Sequence, residues 1–127
     1  MSSLKAKILA LVLAAGTATP TLAIERQPLD MFATCAGRLS AQMEFQWLFG
    51  DDAAEITEMR RAAVLELLAA VMEPGQEMHV LATRIAAKQA HSALLTRATF
   101  NDDDTDAAWA ASMASEHYAA CLSFLLS

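Results

Sequence analysis

The sequence predicts an all-α fold, an up-down-up-down four-helix bundle preceded by a cleavable signal peptide. Three observations carry that expectation. After the segment "IERQ" strand signals are nearly missing, because alanine is abundant and β-branched residues are few. Glycine and proline read as punctuation between apolar runs spaced by threes and fours. Two cysteines stand at matching distances from the start of the first predicted helix and the end of the last.

The leader comes first. "MSSLKAK" supplies a positive start through Lys5 and Lys7, "ILALVLAAG" is a short apolar run, and "TATPTLA" places small residues at Thr21 and Ala23. Those are the positions a signal peptidase reads, so cleavage is expected after Ala23. Residues 1–23 are then the signal peptide and residues 24–127 a single helical domain. The apolar run is short for a bilayer span and no second candidate follows, so no membrane span is expected after cleavage. Cys35 lies too far from the run for a lipoprotein signal. A periplasmic or secreted location follows.

The whole chain has 9 Lys+Arg against 15 Asp+Glu. Losing Lys5 and Lys7 leaves seven against fifteen, a net charge of −8. Such a chain is a poor ligand for nucleic acid, anionic membranes or polyanionic substrates.

Four helices follow in order. The first runs from Pro28 or Asp30 to Phe49 and stops at Gly50, with the stripe Phe32, Cys35, Ala36, Leu39, Met43, Trp47. The second starts at Asp52, where Asp52 and Glu55 have capping-box spacing, and runs to about Met72. Its stripe is Ile56, Met59, Ala63, Leu67, Ala70, Val71. "EPG" at Glu73–Gly75 is a turn signal. The third helix ends near Phe100 with the stripe Met78, Leu81, Ile85, Gln89, Ser92, Leu95. After the acidic break "NDDDTD", the fourth runs from about Thr105 to Leu126, with Trp109, Met113, His117 and Cys121 spaced by fours.

Helices of about 30 Å joined by short connections pack most easily as antiparallel neighbours. Cys35 and Cys121 then fall at equal height at one end, which predicts a disulfide in an exported protein.

Motifs for chemistry are sparse. Met113, His117 and, from helix three, His91 form the candidate soft-metal set, weakened because a bonded Cys121 is no thiolate ligand. His91 by itself reads as a solvated flank histidine within range of Glu44 or Glu116. The C-x-x-C-H haem signature does not occur, and "NDDDTD" departs from calcium-loop spacing, so its acids are expected to cap a helix. No phosphate loop or nucleophile–base pair is found, and the expectation is a protein without catalysis or cofactor.

Apolar residues away from the stripes are more informative. Phe45, Leu48, Leu65, Leu68, Met72, Tyr118 and Leu122 form the candidate interaction surface, for a protein partner or a homodimer. The preferred reading is a small, exported, disulfide-stapled helical protein with a binding or accessory role. The second reading is a periplasmic metal- or cofactor-binding four-helix bundle.

Overall fold

Four α-helices and no strand make up the described part of the chain, a computed structural model that describes residue 16 and residues 27–126. Apart from residue 16, the expected signal peptide and its cleavage point lie outside the described residues. The helices are α1 (Pro28–Leu48), α2 (Ala53–Val71), α3 (Glu77–Phe100) and α4 (Asp104–Leu122).

Local chemistry sets each boundary. Pro28 opens α1, where its missing N–H costs nothing. Beyond α1, Gly50 turns at φ 65°, a conformation that side chains with a Cβ resist. The expected capping box at Asp52 does not form. Asp52 already has helical angles and makes no side-chain cap, while Asp51 Oδ1 accepts the Ala53 N–H at 2.9 Å. Gly75 makes the next turn at φ 92°. Beside it, Gln76 Oε1 accepts the Glu73 N–H at 2.8 Å. The acidic break before α4 does act as a cap, since Asp103 Oδ1 accepts the N–H groups of Thr105 (3.0 Å) and Asp106 (3.2 Å). α4 ends four residues earlier than the period implied, and Ser123 Oγ donates to the Ala120 carbonyl at 2.7 Å.

The core is arranged around α1, which packs against all three other helices. Ten of its 21 residues are buried, against four on α2 and three each on α3 and α4. Contacts between α1 and α3 advance together along both helices: Asp30 with His79, Gln42 with His91, Phe49 with Phe100. Cys35–Cys121 and the edge-on ring pair Phe32–Phe124 tie the first turns of α1 to the end of α4.

Gly37 is not punctuation. It lies mid-helix in α1, at a crossing where a Cβ would overlap the Arg84 carbonyl oxygen and come within 2.9 Å of the Lys88 nitrogen. A side chain is excluded there by the α3 backbone.

This crowding overturns several expected stripes. On α2 the buried side is Thr57, Val64 and Leu68, while Ile56, Met59 and Val71 are exposed. On α3 it is Val80, His91 and Leu95, while Met78, Leu81 and Ile85 are exposed. On α4 Ala110, Ala114 and Cys121 face inward and Trp109 does not; on α1, Trp47 is likewise outside. The physical reason is shared. These helices are apolar on more than one side, and the small residues of α1 chose which side could approach.

The disulfide has a Cα–Cα distance of 5.4 Å and closes a loop of 86 residues. In the chain-entropy model that is worth about 4–5 kcal/mol. Cys35→Ser should therefore lower the urea-unfolding free energy by about that much, and an unchanged midpoint would count against the staple. At Gly37 two effects oppose each other. Alanine gains about 1 kcal/mol of helix preference, while overpacking costs about 1–3 kcal/mol. Gly37→Ala is expected to destabilise; a stabilised variant would disprove the close crossing.

Candidate functional site

His79 and His117 lie towards the disulfide end, and His91 lies beyond the middle of α3, opposite Gln42 of α1. Cys35 and Cys121 are both buried and both bonded, so no free thiol lies among the described residues. A groove of about 340 Å³ runs beside them, bounded by Asp30, Thr34, Arg38, Ala120 and Phe124. His91 was expected on a solvated flank and is instead 1% exposed. Its Nε2 lies 2.9 Å from Gln42 Oε1, and its Nδ1 is buried with no hydrogen bond among the described residues. Burial, then the positive charge of Arg38, then His117, pushes the His91 pKa down to about 4. Half-buried His117 is lowered as well, first by burial and then by Arg38, with Glu116 opposing. Glu44 is taken by Lys88 at 2.6 Å, not by His91.

For the candidate metal set, Met113 and His117 are half-buried on α4 and His91 lies beneath on α3. Among the described residues no three His, Cys, Asp or Glu side chains are grouped to hold an ion. Arg38, beside both histidines, makes the spot unfavourable for a second positive charge.

Most of the candidate interaction surface turns inward. Leu68 is in the core, and Leu65, Met72, Tyr118 and Leu122 pack against it. Tyr118 is held by polar contacts as well: Arg60 Nη1 donates to its hydroxyl at 2.6 Å, and Thr57 Oγ1 lies 3.2 Å from the same oxygen. Leu68 is therefore core, and the other four are half-buried side chains packed against it rather than fully exposed ones. Phe45 is half-buried and Leu48 is exposed.

A group of large exposed apolar side chains lies at the end away from the disulfide, apart from the exposed Met59 of α2 and Met78, Leu81 and Ile85 of α3. Trp47 (50%), Leu48 (75%), Phe49 (51%), Phe100 (65%) and Trp109 (51%) all stand out from the core there. Phe49 bridges the group, 4.7 Å from Phe45 and 6.1 Å from Phe100 between ring centroids. Arg97 lies 5.1 Å over the Trp109 ring and donates to Asp106 at 2.5 Å and 3.2 Å. That pairing raises the Arg97 pKa and lowers the Asp106 carboxyl. Sequence reasoning put Trp47 and Trp109 in core stripes. The signal that could have found this surface is a repeated pattern at helix junctions: an aromatic followed by aspartates, in "FGDD" and again in "FNDDD".

No protein-family model, no curated protein and no solved structure matches this chain.

Neutral, buried His91 makes stability depend on pH. The unfolded histidine binds a proton near pH 6.5 and the folded one near 4, so between those values the unfolded state holds more protons. The stabilisation is full above about pH 6.5 and is lost as pH falls towards 4, on the order of 3 kcal/mol in all. Urea midpoints measured from pH 7 to 4 should fall less steeply in His91→Gln than in the parent. Parallel curves would contradict a neutral, buried imidazole.

Proposed function

We propose that this is an exported binding module, periplasmic or secreted, that recognises a partner without catalysing a reaction. Its four helices alternate in direction as an up-down-up-down bundle, with the disulfide joining the first turns of α1 to the end of α4. The observation that carries the reading is the set of large apolar side chains held outside the core at one end: Trp47, Leu48, Phe49, Phe100 and Trp109. Side chains of this size gain free energy when covered, and soluble proteins keep contiguous patches of them chiefly for binding. The buried disulfide fits an oxidising compartment. No helix among the described residues is long and apolar enough to cross a membrane.

One observation favours the second reading, a metal- or cofactor-binding bundle. His91 Nδ1 has no hydrogen-bond partner among the described residues, His117 is close enough to act electrostatically on the same ring, and a ligand there would satisfy the nitrogen. The charge of Arg38 opposes a cation at that point, so partner binding is the stronger reading.

Protein from its native compartment decides between them. The intact mass should begin at Ile24, be two hydrogens short of the reduced chain and carry no metal. A fluorescent hydrophobic dye should bind, and Trp47→Ser combined with Trp109→Ser should abolish that binding without lowering the melting temperature. Dye-free, strictly monomeric protein would end the binding reading; a retained leader would end export.

A further inference from the structure

Taking the binding reading as its basis, the geometry points to a specific class of partner: a cationic, amphipathic polypeptide segment that docks on the aromatic end. The aromatic group spans three helices, through Trp47 in the last turn of α1 and Phe49 just after it, Phe100 closing α3 and Trp109 early in α4. The same turns carry seven carboxylates: Asp51, Asp52, Glu55, Asp102, Asp103, Asp104 and Asp106. Against them stands Arg97, and its charge is already matched by Asp106. Asp51 and Asp103 are occupied as helix caps. Asp52, Glu55, Asp102 and Asp104 are exposed, and their carboxylates make no hydrogen bond or ion pair among the described residues.

Apolar side chains bordered by unpaired negative charge select their occupant. Nucleic acid and anionic membranes are repelled. A second copy of this chain would bring a like-charged end against its own, which disfavours a symmetric dimer through this face. A segment with leucines or aromatics on one side and lysines or arginines on the other meets both requirements. Its apolar side covers the rings, its cations pair with the aspartates, and arginine also stacks on exposed aromatic faces. Arg97 over Trp109 is an intramolecular example of that last contact.

The two tryptophans of the chain both lie in this surface, so their emission reports occupancy directly. The full exported chain would be titrated with an 18-residue Lys/Leu amphipathic helical peptide, with a Glu/Leu peptide of the same pattern, and with phosphatidylcholine vesicles. The Lys/Leu peptide should shift the emission, and its affinity should fall roughly tenfold between low and physiological salt as exposed charges are screened. Leu48→Ser with Phe100→Ala keeps both tryptophans as reporters and should weaken binding roughly tenfold or more, the size of a lost interface anchor. Asp102→Asn with Asp104→Asn spares the Asp103 cap, and should weaken binding and flatten its salt dependence. Glu58→Gln with Glu66→Gln removes the same charge from exposed positions of α2 and should change little.

Equal losses from the two charge-neutral pairs would overturn the proposal by making the attraction a property of net charge. Binding of the Glu/Leu peptide or the vesicles at comparable strength would overturn the cationic partner while leaving a binding surface in place. No emission change with any probe, together with no dye binding, would remove both this proposal and the reading beneath it.

Discussion

The approach of α3 to α1 at Gly37 is the constraint on which the remaining packing depends. Ala33, Ala36, Gly37, Ser40 and Ala41 are all buried on α1, and their small volume lets neighbouring backbones come close. Close backbones multiply weak dispersion contacts that larger side chains would hold apart. The polar member of the set is satisfied within the structure: Ser40 Oγ donates to the Ala36 carbonyl at 2.8 Å and accepts from Arg61 Nε at 2.6 Å. With α1 engaged by three neighbours, each neighbour turns one side to it and the opposite side to water. Exposed methionines and isoleucines on α2 and α3 are the direct consequence.

The molecule consequently has two unlike ends. One is fixed covalently by Cys35–Cys121 and filled by Phe32, Phe124 and the core leucines. The other has no covalent link and is joined by the Phe45–Phe49–Phe100 ring contacts and the Arg97–Asp106 pair. Its aspartates have a structural role before any functional one, because they lie at the start of α2 and α4, where exposed N–H groups favour negative charge. Capping uses two of them directly and the helix dipoles favour the rest. An acidic end with few cations is therefore tolerated by the fold, and its charge remains available to another molecule.

The elements themselves were legible. Pro28, Gly50, Gly75 and the acid run before α4 marked the helix boundaries to within a few residues, since caps and turns act over three or four positions of the chain. The disulfide was legible too, because the equal distances of Cys35 and Cys121 from paired helix ends can be counted along the sequence. Faces were another matter. Ile56 and Thr57 are neighbours on α2, yet the threonine is fully buried and the isoleucine exposed. Hydropathy ranks them the other way. Thr57 is inside because its hydroxyl meets Ala53 and Tyr118, partners on its own helix and on α4. His91 and Trp109 exchanged their expected places for the same kind of reason, a partner that only packing supplies.

What the sequence determined by itself is helix content, helix length, the covalent link and the strong negative charge. Each of these follows from short-range chemistry or from a simple sum along the chain. Only the tertiary structure decided which side of each helix is buried. In chains rich in alanine, nearly every side is apolar enough to pack, and the choice falls to where backbones fit closest, which here is set by one glycine on α1.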